Sequence, residues 1–325
     1  MAEIDEDPRE VPWHPRFAAS VVGHDAAIKL FAQQFAAQKP HHAWLIHGPK
    51  GIGKATLAYH LAQRVLGQNN PDQARRWIEG RAHPDLFVLE RKLNDSKPRR
   101  LKSEISVEDA RSLSGFLART SSSGWRVAIV DAVDDLNAES ANSLLKLVEE
   151  PPAKALIFLV NHVPGKTLRT LKSRCMRLAL EPLSDSDTIH VIKTLPLDQE
   201  MRSEDVLDTV QFASGSPGRA LALAGSTAAK AFENWRKLER MSLPSILKIS
   251  SQFTGKAASI DEFDLFVSLL LDWIAETAAA RPSKALAEAY DAVAQSARTT
   301  NAYNLDRRQT IAEALITVND ALKAA

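Results

Sequence analysis

Two patterns of apolar positions divide this chain. Up to about residue 180, short unbroken apolar runs alternate with stretches whose apolar residues recur every three or four positions. The runs His42–His47, Asp85–Leu89, Val127–Val130, Leu156–Val160 and Arg177–Leu180 predict strands. Runs this short, without polar alternation, suit strands buried on both faces. Helical spacing marks Ala26–Phe35 and Ala55–Leu66, the latter with Leu57, Leu61 and Val65 on one face. It also marks Val107–Arg119, Ser140–Glu149 and Thr167–Ser173. Ser106 opens the third of these helices, with Glu108 and Asp109 in its first turn, where a helix favours a capping hydroxyl and negative charge. Pro151-Pro152 stops the fourth. Residues 67–82 are polar and read as a loop or an irregular helix. Strands alternating with helices predict an α/β domain, a parallel sheet covered on both faces.

After Pro182 no convincing strand remains. Ser184–Leu195, Ser203–Ala213 and Gly218–Ala224 read as helices of a small bundle, and the chain is helical again from about Lys230. Phe263, Phe266, Val267, Leu270 and Ile274 form one apolar stripe, while Leu305, Ile311, Leu315, Val318 and Leu322 suit a terminal helix. The expected organisation is a mobile acidic N-terminus (1–12), an α/β domain (13–180), a small helical lid (181–225) and an all-α domain (226–325).

Composition narrows the function classes. With 45% apolar and 25% charged residues the chain reads as a soluble globular protein. No run approaches the roughly 18 apolar residues of a spanning helix, and Met1–Glu10 lacks the apolar core of a signal peptide. A cytoplasmic location without membrane contact is expected. The single cysteine, Cys175, excludes an internal disulfide and a cysteine-based zinc site. His41-His42 lacks partner spacing and reads as structural, so no metal site is expected. A net charge of +1 excludes a generally basic nucleic-acid coat, though not a local patch. The segment Arg91–Lys102 carries six Lys or Arg without interleaved aromatics. It reads as a solvated hairpin, with tracking of a phosphate backbone as the alternative. After Ser226, 12 basic residues balance 12 acids, so that part exerts no net pull on DNA.

The candidate chemistry lies at Gly48-Pro-Lys-Gly51-Ile-Gly53-Lys54, between a predicted strand and a predicted helix. Glycines there let backbone N–H groups face phosphate, and Lys54 would reach the outer phosphates. The next position lacks its hydroxyl, because it is Ala55. Thr56 does not replace it, since the next helical residue points about 100° away. Asp131 ends a buried strand and reads either as an outer magnesium ligand or as a turn-capping acid. Ala132 follows it where a general base would stand, and a methyl group cannot polarise water. Asn161, at the end of another strand, is either a phosphate sensor or the start of a turn.

Asn142-Ser-Leu-Leu-Lys-Leu-Val-Glu-Glu-Pro-Pro152, Phe158-Leu-Val-Asn161 and Leu171-Lys-Ser-Arg-Cys175 together resemble the bacterial clamp-loader subunits of the AAA+ superfamily. Gly215-Ser-Pro-Gly-Arg-Ala220, His83-Pro-Asp85 and His41-His-Ala43 narrow the resemblance to the delta-prime branch of the DNA polymerase III family. It covers about Trp13–Ala224; the helical C-terminal part agrees only in length and class. The resemblance implies an AAA+ domain with a lid and a helical collar that joins other subunits. It implies a stator-like member that does no hydrolysis itself, within a DNA-synthesising holoenzyme. Its partners would be the gamma/tau motor subunits and a delta subunit, with the sliding clamp and primer-template DNA. Arg174 would act in trans on a neighbour's ATP site; Lys172 and Arg177 do not match that position. Gly48, Gly51, Gly53, Lys54, Asp131 and Asn161 would form a degenerate nucleotide site, with ATP and magnesium possible but not required. Arg219 stands one residue beyond the family's second sensing position, which here is Gly218. The four-cysteine zinc module of many relatives is missing from 66–82, absent or replaced by packing of Trp77. The competing reading is an active ATPase, either a motor subunit or a stand-alone remodeller.

Overall fold

A computed structural model of the chain describes residues 7, 9–37, 40–94, 101–162, 168–197, 203–238, 242–254 and 259–324. Within them the chain forms two compact units, Met1–Gln199 with Ser214–Arg219, and Glu200–Ala213 with Ala220–Ala325. The expected lid segment 181–225 is therefore shared between the two.

The first unit is built on strands β1 (Ala43–His47), β2 (Leu86–Glu90), β3 (Arg126–Asp131), β4 (Ala155–Asn161) and β5 (Met176–Ala179). All pair in parallel, in the order β2-β3-β4-β1-β5. Its helices are α1 (Asp25–Ala36), α2 (Lys54–Leu66), α3 (Pro71–Glu79), α4 (Val107–Leu117), α5 (Ala138–Glu149), α6 (Arg169–Lys172) and α7 (Asp185–Thr194). Successive strand residues point to opposite faces, and the core divides accordingly. Trp44, Ile46, Ile129, Phe158 and Leu178 pack with Phe31 of α1 and with Leu57, Leu61 and Val65 of α2. Leu45, Ala128, Val130, Ile157 and Leu159 pack with Leu113 and Phe116 of α4 and with Leu144 and Val148 of α5. The central strands β1, β3 and β4 are buried on both faces, which is why they read as unbroken apolar runs, while the edge strands β2 and β5 are partly exposed. β1 lies between β4 and β5, so the chain leaving β1 must cross β4 and β3 to reach β2. The loop after β1 therefore lies at a topological switch point, where open α/β sheets place ligands.

Several elements differ from the sequence expectation. Residues 71–79 form a regular helix, α3, started by Pro71 and capped by the side chain of Asn70. Its polarity reflects one buried row, Ala74 and Ile78, under an otherwise wet surface. Trp77 is 39% exposed and only edges His83, so it does not fill the place of a zinc module. The predicted helix Ser203–Ala213 is broken into α8 (Ser203–Leu207) and a 3-10 turn at Val210–Phe212. Leu305 is exposed and precedes the terminal helix, because Asn304 closes the previous helix in the left-handed conformation.

Of the N-terminal stretch expected to be mobile, residues 1–6 and 8 lie outside the described part. Arg9 bonds Asp7, Glu90 and the carbonyl of Arg91, and Glu10 pairs with the buried Arg16. Of the basic segment, residues 95–100 also lie outside it; the flanks form an antiparallel bridge between Leu93 and Leu101. Two of its basic residues are spent on that base, Arg91 pairing Asp135 at 3.1 Å and Lys92 pairing Asp109.

The second unit is helical: α8, then the end of α9 (Pro217–Leu223), whose first three residues belong to the first unit, α10 (Thr227–Arg236), α11 (Leu243–Ser250), α12 (Ile260–Ala280), α13 (Lys284–Tyr303) and α14 (Arg307–Ala324). The predicted stripe Phe263, Phe266, Val267, Leu270 and Ile274 is its core, joined by Phe232, Trp235, Ile311, Leu315 and Val318. The Glu262 carboxylate accepts from the Thr227 and Ala228 N–H groups at the start of α10.

Candidate functional site

The glycine loop joins β1 to α2 with Gly48, Gly51 and Gly53 all at positive φ. Every carbonyl from Gly48 to Gly53 accepts a hydrogen bond from this chain. The Lys54 ammonium donates to Gly48 O at 2.7 Å and to Pro49 O at 2.5 Å. The Ser216 hydroxyl donates to Lys50 O at 2.9 Å, and the Gly218 N–H to Gly51 O at 3.0 Å. His24 Nε2 donates to Ile52 O at 2.8 Å, and the Leu57 N–H to Gly53 O at 2.9 Å. A carbonyl can only accept, so the His24 tautomer with hydrogen on Nε2 follows. The loop is thus held along its whole carbonyl side.

Burial lowers the Lys54 pKa to about 8, outweighing the attraction of Asp131 and Asp134. The ammonium is enclosed by the loop's own oxygens and 2% exposed at the residue level.

Gly51 and Gly218 approach each other backbone to backbone. A Cβ at Gly218 would lie 2.8 Å from the Gly51 Cα, and one at Gly51 would lie 2.5 Å from the Ser216 hydroxyl. The two backbones touch, and no side chain fits at 218. Position 218 is committed to this contact, and Arg219 follows it.

The other predicted site residues gather at the carboxyl ends of β3 and β4. Asp131 Oδ1 lies 3.6 Å from His162 Nε2. Asn161 is buried and donates to Asp134 Oδ1 at 2.6 Å, while the His162 N–H donates to Asp134 Oδ2 at 2.5 Å. Asp134 thereby holds the end of β4. Ala132 is 2% exposed and packs in the apolar core on the α2 side of the sheet. The arrangement supplies neither a hydroxyl at 55 nor a carboxylate at 132. Those are the two groups that a magnesium-dependent hydrolysis would draw on here. Among the described residues no group of three or more His, Cys, Asp or Glu is placed to hold a metal ion.

Arg174 stands apart from these groups, after α6. Leu171 is buried on the α5 side of the sheet, and Cys175 packs against the same cluster. Burial raises the Cys175 thiol to about 12, which disfavours the thiolate. Between these anchors the Arg174 side chain is 42% exposed. Its Nε pairs with Glu149 Oε1 at 2.9 Å, and its Nη1 donates to Thr170 O at 3.1 Å.

Sequence reasoning missed Ser216, His24, Asp134 and Glu149. Ser216 and Glu149 lie inside motifs noted above, but nothing in a motif says which side chain meets which. His24 and Asp134 carried no local signal.

Comparison with known proteins places this geometry in context. The family described as "DNA polymerase III, delta subunit" matches residues 23–184. A Pseudomonas aeruginosa protein named DNA polymerase III subunit delta' is 32% identical over 205 residues, 60% of this chain and 60% of that protein. A DNA polymerase III subunit gamma of Buchnera aphidicola is 29% identical over 189 residues, 56% of this chain and 49% of that protein. The chain thus spans 49% and 60% of the length of these two relatives. A solved Thermotoga maritima protein, described as related to the DNA polymerase III gamma subunit, aligns with a TM-score of 0.46 at 16% identity, over 89% of this chain and 98% of that one.

Proposed function

Residues 23–184 belong to the family of DNA polymerase III delta-type subunits, and from that premise we propose that the chain is a non-hydrolysing subunit of a bacterial clamp loader. In this role it joins gamma/tau-type motor subunits and a delta subunit. The assembly opens the sliding clamp and places it on primer-template DNA. The chain works in the cytoplasm at replication forks and performs no polymerisation. Its catalytic contribution is Arg174, offered to the ATP site of an adjacent motor subunit.

One pairing carries this reading. The nucleotide loop lacks its own metal-binding hydroxyl and water-activating base, while Arg174 is fixed at the surface. A guanidinium stabilises charge on a transferring phosphoryl group, and fingers supplied in trans are worth about 1,000- to 100,000-fold where measured. The braced carbonyl side of the loop supports a rigid role, because no movement is needed to satisfy it. ATP is not required by the chain in this reading.

The test has two arms. The isolated chain should turn over ATP no faster than background. In the reconstituted loader, Arg174→Ala should leave assembly intact and remove hydrolysis at the one interface it serves. Turnover by the isolated chain that Lys54→Ala abolishes would favour the active-ATPase reading instead. Unchanged hydrolysis with Arg174→Ala would refute the finger.

A further inference from the structure

The Arg174 guanidinium is held at two points before any partner arrives. Glu149, the last residue of α5, forms an ion pair with it, Oε1 lying 2.9 Å from Nε. The Thr170 carbonyl takes Nη1–H at 3.1 Å, and the Ser173 hydroxyl lies 3.4 Å from the same nitrogen. Among the described residues Nη2, at the tip, has no partner on this chain. Both supports are themselves fixed. The end of α5 is tied down by the buried Val148, whose carbonyl accepts from His42 Nε2 at 2.7 Å. Thr170 precedes the buried Leu171. An ion pair at Nε and a hydrogen bond from Nη1 hold the inner side of the guanidinium, and the Nη2 end is left to donate outward.

We infer that Glu149 positions Arg174 for action on the neighbouring subunit. The inference rests on the trans-acting role of Arg174 proposed above. Glu149 does not touch the nucleotide in this arrangement. It holds the guanidinium so that the arginine is ordered before the phosphate arrives. A free arginine side chain would lose rotamer freedom at that moment, and the transition state would bear the loss.

The test is steady-state ATP hydrolysis by the reconstituted loader, with kcat and KM separated. Glu149→Ala should lower about 3- to 10-fold the part of kcat that Arg174→Ala removes, as when an oriented group loses one support. KM for ATP should stay within about twofold, because the defect lies in the transition state. Glu149→Gln keeps an accepting oxygen and should fall between wild type and Glu149→Ala. The double variant Glu149→Ala/Arg174→Ala should be no slower than Arg174→Ala alone, since the two residues act as a unit. If Arg174→Ala slows hydrolysis and Glu149→Ala does not, the positioning role is overturned and the finger stands. Faster hydrolysis with Glu149→Ala would overturn it too, making Glu149 a competitor for the arginine. If Arg174→Ala has no effect, the finger itself fails, and the positioning role with it.

Discussion

His14 illustrates how a single side chain acquires a role no motif announces. Its Nδ1 accepts from the Arg16 N–H at 3.2 Å, and its ring edges Tyr59 and Phe17. Burial, with the nearby Arg16 and Arg81 guanidiniums, lowers its pKa to about 4. In the unfolded chain it titrates near 6.5. Between those values the unfolded state holds the extra proton, so stability rises with pH across the window. It falls as pH drops from about 6.5 towards 4. His14→Asn, which keeps an acceptor for Arg16, should show a shallower fall than wild type in thermal melts over that range. Identical slopes would mean that His14 titrates alike in both states.

At the scale of elements, the His83-Pro-Asp85 run has a mechanical explanation. Asp85 precedes β2 and is 3% exposed. Its carboxylate accepts from the Ser122 hydroxyl at 2.6 Å and from the Ser122 and Ser123 N–H groups. Burial would raise its pKa, but those bonds outweigh burial and hold it below the usual carboxylate range. The turn before β3 is thereby pinned to the start of β2, and the register Leu86 to Val127 follows. Asp85→Ala would leave these donors unmet, at a cost of about 2–4 kcal/mol. Urea denaturation should report that loss. The half-exposed pair between Arg174 and Glu149 is different: its removal should cost under about 1 kcal/mol. The same urea denaturation can therefore separate a structural carboxylate from one with little structural role.

For the whole molecule, residues 214–219 belong to the sheet-bearing unit although they follow it at a distance in sequence. They supply Ser216 and Gly218 to the glycine loop. A fragment ending at Arg219 should therefore melt above one ending at Leu197, by scanning calorimetry. Equal melting would show that the two loop contacts add nothing. The longer fragment also drops α10–α14, the proposed collar. It should fail to join motor subunits on a sizing column, and normal assembly would remove the collar role.

The sequence alone determined the layered sheet, because five apolar runs and the helical periods between them are local signals. It determined the glycine loop, the missing hydroxyl at 55 and the family likeness, since each is a matter of which residue stands where. It also placed the stripe of α12, whose spacing is strictly helical. It could not show α3, where two buried residues give too faint a period, nor the break after Leu207. It left open whether Asp131 holds magnesium or caps a turn and whether Asn161 senses phosphate or starts one, and only the fold brought Asp134 to Asn161. The largest decisions were non-local. Gly218 meeting Gly51, Ser216 meeting Lys50 and Glu149 meeting Arg174 join residues up to 167 positions apart. Such pairs are set by how helices and strands pack, and packing depends on the summed burial of the whole chain rather than on any segment of it.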